Sequence, residues 1–102
     1  MDMELRQKIA IFSLSSGVYL MKNARGEIIY VGKAVSLRKR IQSYFRSSRA
    51  FSKTEALVSQ VDDIEIIETA SEAEALILEA SLIKKYKPKF NVELRDDKSY
   101  PV

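Results

Sequence analysis

The stretch IIYVGKAVSLRKRIQSYF, from Ile28 to Phe45, decides how the chain is read. It opens on a β-branched and aromatic run, Ile28 to Val31, meets Gly32 and Lys33, and passes almost at once into a basic amphipathic segment. Leu37, Ile41, Tyr44 and Phe45 recur at helical spacing and Ser36 stands where an N-cap belongs, so the pattern predicts a helix over 37–45. Upstream, GVYLMK (residues 17–22) has strand character. Asn23, Ala24, Arg25 and Gly26 form a turn cluster in which Gly26 can take positive φ. Residues 17–32 therefore read as a β-hairpin feeding a basic helix. Gly32, at the expected strand end, leaves room for close approach by something else.

Further out, Leu5, Ile9 and Phe12 predict a short helix over 4–12. A second amphipathic helix over 53–61 places Ala56, Leu57, Gln60 and Val61 on one side, and a third strand follows over 64–69. Ser71 to Glu74 reads as a capping box that opens the longest helix, to about Tyr86, with Pro88 ending it. The tail from Asn91 to Val102 reads as extended and without a clean stop, as in a fragment of a longer protein. The order is helix, two strands, two helices, strand, helix. It predicts one α+β domain over 1–102, a small three-stranded sheet flanked by helices.

The chain has 102 residues and neither Cys nor His. Disulfides, thiolate nucleophiles, the usual general base and the commonest zinc ligands are thereby excluded. Chemistry must rest on Asp, Glu, Tyr, Lys, Arg, Ser or Thr. The net charge is only +3, but the charges are sorted. From Lys33 to Lys53 there are seven basic residues and no acidic one. From Thr54 to Ile83 there are eight acidic residues and no basic one. Lys84, Lys85, Lys87 and Lys89 follow. Such blocks suit a polyanion, although solvated helix faces give the same pattern. No apolar run approaches the roughly 20 residues of a membrane span, and the first residues do not read as a signal peptide. Both points fit a cytoplasmic protein away from membranes.

Glu79 is the sharpest single signal. Its neighbours three and four positions away are Ala75, Leu76, Leu82 and Ile83, all apolar, so it lies in the stripe that faces the core. A carboxylate there must be paired with Arg or Lys, protonated, or bound to a cation such as Mg²⁺, which takes one or two carboxylates and completes its shell with water and phosphate. Tyr19 and Tyr30 sit on adjacent strands. Arg40 borders the buried stripe of its helix, whereas Arg38, Lys39 and Arg46 face outward. Nearby cations favour a phenolate. A cleft of Tyr, Lys, Arg and a Glu-bound cation is a phosphodiester hydrolysis site built without His or Cys.

The triplets GVY (residues 17–19) and YVG (residues 30–32), with Arg40, Glu79 and Asn91 after them, resemble the paired signature of GIY-YIG nucleases. The longer runs YVGKAVSLRKRIQSYF, EALILEASLIKKYKPKFNV and DDKSYP resemble the N-terminal nuclease domain of the UvrC family. The resemblance implies a central antiparallel three-stranded sheet flanked by helices, and incision 3′ to a DNA lesion in excision repair. It implies Tyr30 as general base, or as the phenol that positions water, with Lys33 and Tyr19 tuning it. Arg40 would stabilise the phosphate, and Glu79 would be the sole protein ligand of Mg²⁺ or Mn²⁺. The metal would assist departure of the 3′ oxygen, leaving 3′-hydroxyl and 5′-phosphate ends. Gly17 and Gly32 would allow backbone approach. Tyr44, Asn91, Arg38, Lys39 and Arg46 would complete the pocket and its phosphate contacts. The implied partners are damaged double-stranded DNA and a UvrB–DNA complex loaded by UvrA, with the domain itself a monomer. A basic module that only binds nucleic acid, with Glu79 paired to Arg40, is the competing reading. A stand-alone excinuclease homologue is a third.

Overall fold

A computed structural model of the chain describes residues 3–46 and 52–95. In chain order they form α1 (Met3–Ala10), β1 (Gly17–Lys22), β2 (Ile28–Ala34), α2 (Leu37–Arg46), α3 (Ser52–Gln60), β3 (Asp63–Glu68), α4 (Glu72–Tyr86) and α5 (Lys89–Arg95). The strands make one antiparallel sheet in the order β2-β1-β3, so β1 is central and β2 is an edge. This is the α+β architecture that the hairpin and helical patterns predict.

Strand alternation sorts the core into two faces. Tyr19 and Met21 point to one face. There they pack with Leu5, Ile9 and Phe12, with Leu37 and Ile41 of α2, with Leu57 of α3 and with Phe90 of α5. Val18, Leu20 and Val31 point to the other, where α4 lies with Ala75, Leu78, Leu82 and Ile83. Among the described side chains of α3 only Leu57 is fully buried, while Ala56 and Gln60 are exposed, so that part of the inward side is narrower than its pattern predicts.

Four local expectations need correction. First, β2 does not end at Gly32 but runs on to Ala34, with Gly32 paired to Tyr19 across the hairpin. A Cβ at Gly32 would fall inside the Tyr19 ring, so the glycine makes room for that side chain and not for a DNA backbone. Second, Ser36 precedes α2, but its buried hydroxyl has no hydrogen-bond partner among the described residues. The N–H groups of Leu37 and Arg38 donate instead to the carbonyls of Ser15 and Ser13, at 3.0 Å each, so the preceding loop caps the helix. Third, the tail is not extended from Asn91. After Lys87 closes α4 in the left-handed conformation, Pro88 restarts a helix, accepting from the Asn91 and Val92 N–H groups. Fourth, Leu76 is 52% exposed and does not belong to the inward stripe of α4. Residues 96–102, the segment 47–51 and the side chain of Arg46 lie outside the described residues.

The Ser71 cap forms. Its hydroxyl accepts from the Glu74 N–H at 3.1 Å, and the Glu74 carboxylate reaches back to the Ala70 N–H at 2.8 Å.

Candidate active site

The hairpin register brings three tyrosines together. Tyr19 on β1 and Tyr30 on β2 project to the face that α2 covers, and α2 contributes Tyr44. The ring centroids are 6.2 Å (Tyr19–Tyr30), 5.9 Å (Tyr19–Tyr44) and 6.5 Å (Tyr30–Tyr44) apart. Such spacings and tilts are those of favourable aromatic pairs. The hydroxyls of Tyr19 and Tyr44 share a hydrogen bond of 2.9 Å. Tyr19 is 1% exposed and acts as the floor of the cluster, while Tyr30 and Tyr44 are half-buried.

Arg40, one turn before Tyr44 on α2, carries its guanidinium over the Tyr44 ring at 5.3 Å from the centroid. It is exposed and is in none of the ion pairs formed by described residues, which join Lys8 to Asp63, Lys22 to Glu65 and Arg25 to Glu27. Glu79 is in none of them either. The pairing of Glu79 with Arg40 required by the binding-only reading is therefore not made.

Burial raises the Glu79 carboxyl above its ordinary range, and the charge and backbone N–H of Lys33 pull it back. Burial also raises the Tyr30 phenol well above its ordinary value, with the neighbouring Tyr44 and Glu79 adding to it and Arg40 opposing. Tyr19 is raised for the same first reason, burial, helped by Tyr44 and Tyr30. The charge that lowers Tyr30 is that of Arg40, and the charge of Lys33 falls on Glu79. Tyr30 carries its proton at neutral pH.

Two expected phosphate contacts have internal partners. The Asn91 amide donates to the Val31 carbonyl at 2.9 Å and accepts from the Val31 N–H at 2.8 Å, both buried. It thus pairs α5 to the free edge of β2, one residue from Tyr30. Arg38 donates from Nε to the Phe12 carbonyl at 2.8 Å and ties α2 to the end of the α1 turn. Lys39 is exposed, as expected. Gly17 is buried where a Cβ would strike the Ile67 carbonyl and Leu37, so it serves strand and helix packing.

Among the described residues no group of three or more His, Cys, Asp or Glu comes together. The donor set at the site is a single half-buried carboxylate, which fits Mg²⁺ or Mn²⁺ completed by water and a substrate phosphate and does not fit a calcium cage. A groove of about 490 Å³ opens beside it, lined by Lys33, Val35, Arg40, Ala75 and Leu76 among others.

The sequence pattern missed the Tyr19–Gly32 pair and the Asn91 clamp. The first was available in principle, since a hairpin closing at 23–26 sets Tyr19 opposite Gly32, and a ring over a strand glycine is a known packing solution.

Comparison with known proteins gives one consistent result. The family model of the UvrC-like GIY-YIG domain matches residues 15–92. The UvrABC system protein C of Chlorobium chlorochromatii is 57% identical over 98 residues, which are 95% of this chain and 16% of that protein. The chain thus spans about one sixth of the length of the curated relatives it matches. The magnesium-bound crystal structure of the GIY-YIG N-terminal endonuclease domain of UvrC from Thermotoga maritima is 41% identical, with a TM-score of 0.78 over 88% of this chain and 98% of that one. An asparagine-to-alanine point mutant of the same domain, bound to its catalytic divalent cation, matches with 41% identity and a TM-score of 0.78 over 88% and 97% of the two chains.

Proposed function

The chain belongs to the UvrC-like GIY-YIG domain family, and from that premise we propose that it is a divalent-metal-dependent DNA endonuclease domain that hydrolyses a phosphodiester bond 3′ to a lesion. The observation that carries this reading is a convergence at one sheet edge. The tyrosine cluster meets an arginine and a half-buried carboxylate there, and neither of these two is in an ion pair among the described residues.

Each side chain has a task that follows from its surroundings. Arg40, braced on the Tyr44 ring, meets the non-bridging oxygens of the scissile phosphate and offsets charge that grows on them. Tyr30, held neutral by burial, orients the attacking water through its oxygen, and positive charge entering the site would pull its pKa down and favour the phenolate that can take the water's proton. Tyr19 and Tyr44, joined by their hydroxyls, fix the ring that Tyr30 packs against. Lys33, through its charge and its backbone N–H, favours the ionised form of Glu79 and offsets part of the effect of burial. Glu79 would hold Mg²⁺ or Mn²⁺, which supplies Lewis-acid charge for the departing 3′ oxygen. Asn91 locks the strand that carries Tyr30. The exposed cations of α2 contact backbone phosphates, a grip that is salt-sensitive and largely blind to base sequence. The damaged duplex would be presented on UvrB after loading by UvrA, with the domain acting as a monomer in the cytoplasm.

The test uses the full-length protein with UvrA, UvrB, ATP, Mg²⁺ and an end-labelled damaged duplex, reading 3′ and 5′ nicks separately. Tyr30→Phe and Glu79→Ala should each lower the 3′ nick by about 10²-fold or more and leave the 5′ activity in place. A normal 3′ nick in both variants would move the chemistry elsewhere and leave this domain a DNA-binding module.

A further inference from the structure

The block Lys84, Lys85, Lys87 and Lys89, with Tyr86 among them, has no part in the site described above. All four lysines are exposed and none is in the ion pairs formed by described residues. Lys84 and Lys85 lie in the last turn of α4, where the helix dipole favours cations and accounts for them. It does not account for the other two. Lys87 holds φ 45°, the left-handed region that glycine or asparagine fills more easily. Lys89 opens α5, the end at which the dipole disfavours a cation. Neither is what the fold alone would select.

The patch also has shape. A groove of about 420 Å³ runs between the hairpin turn and the α4–α5 junction, lined by Arg25, Glu27, Ile28, Ile29, Tyr86 and Lys89, with Arg25 in an exposed ion pair with Glu27. Tyr86 is 43% exposed, with the Lys85 ammonium 5.1 Å from its ring centroid, and the Lys89 ammonium sits 5.5 Å from that of Phe90. An aromatic face among tethered cations suits a phosphodiester backbone. Glu79 and Tyr86 are two turns apart on the same face of α4, about 10 Å along the axis at 1.5 Å per residue. That matches about three nucleotides of a DNA strand at 3.4 Å each. Ile28 and Ile29, which line the groove, immediately precede Tyr30 on the edge strand β2.

Resting on the nuclease reading above, we infer that the α4–α5 junction is a second phosphate-binding surface, which holds the DNA backbone about three nucleotides from the bond that is cut. It would set the register of the substrate, while Arg40 and Glu79 act at the scissile phosphate.

The test is fluorescence anisotropy of the chain with a labelled duplex between about 50 and 200 mM salt. The triple variant Lys85→Gln, Lys87→Gln, Lys89→Gln should flatten the plot of log affinity against log salt. The change should be about 0.9 for each phosphate that is no longer neutralised, so about two to three in all. Lys89→Gln alone should flatten it by about 0.9 and decides the matter if circular dichroism shows the triple variant unfolded. Arg6→Gln, on the exposed side of α1, is the control for net charge and should change it little. Tyr30→Phe should lose cutting in the full-length reaction and keep the wild-type slope. An unchanged slope in folded lysine variants, or an equal change in Arg6→Gln, would overturn the second surface and leave the nuclease reading standing. Undiminished cutting by Tyr30→Phe would overturn the assigned chemistry while the lysine slope still decides DNA contact. A wild type with no salt-dependent DNA binding would remove both.

Discussion

At the scale of single residues, Asn91 separates two kinds of importance. A polar side chain near a nuclease site invites assignment to the phosphate, yet both ends of its amide are engaged with the Val31 backbone and it is only 6% exposed. β2 is an edge strand, so those Val31 groups have no strand partner on that side, and the asparagine supplies one. Asn91→Ala would leave a buried donor and a buried acceptor unsatisfied, at about 1–3 kcal/mol for the removal of each such partner. The expected loss is about 2–6 kcal/mol, or a melting temperature lower by roughly 10 °C or more in a domain of this size. Thermal unfolding followed by circular dichroism checks it. Loss of DNA affinity at unchanged melting temperature would instead return Asn91 to the phosphate.

At the scale of elements, what the sequence made legible follows from where its patterns are local. The hairpin turn, the α2 stripe and the Ser71 cap are set by residues within four positions of their neighbours in the pattern, and all three form nearly as their spacing predicts. The proposed site members Tyr30, Arg40 and Glu79 stood out through motif and through a carboxylate on an apolar face. The misses depend on distant partners. The loop carbonyls of Ser13 and Ser15 displaced the Ser36 cap, and α5 forms because Phe90 and Asn91 find the sheet. The Lys8–Asp63 bridge at 2.7 Å, which ties α1 to the start of β3, is likewise invisible to local reading. Burial pushes Asp63 up. Hydrogen bonds from Lys8 and the Ile64 N–H, with the charges of Lys8 and Lys22, outweigh it and hold the carboxyl below its ordinary range. A folded-state value below the unfolded one gives stability that is present above the unfolded value and lost as pH falls through the folded one. Both partners are about two-fifths exposed, so screening keeps the contribution small, about 0.2–1 kcal/mol. Asp63→Asn should therefore be less stable than wild type by that amount near neutral pH. The two should converge in acid below the ordinary aspartate range, as urea melts across pH would show.

At the scale of the whole molecule, the fold holds a charge in a place that opposes it. α4 packs Ala75, Leu78, Leu82 and Ile83 against the sheet, and Glu79 lies within that inward set. Burial raises its carboxyl, and Lys33 only partly compensates. A charge disfavoured in the folded state lowers stability unless something binds it, and the occupant proposed above is a cation. Removing the charge while keeping the shape should therefore have opposite effects in the two conditions. Without divalent metal, Glu79→Gln should melt slightly higher than wild type. With Mg²⁺ at about a hundred times its dissociation constant, wild type should gain about 2.7 kcal/mol, a rise of roughly 10–20 °C, and the variant nothing. Calorimetry with and without Mg²⁺, and with EDTA as the reverse step, reads both arms without any appeal to cutting. Equal gains in wild type and variant would place the cation on other ligands. A variant that melts lower in EDTA would show that Glu79 is a structural partner of Lys33 first and a metal ligand only second.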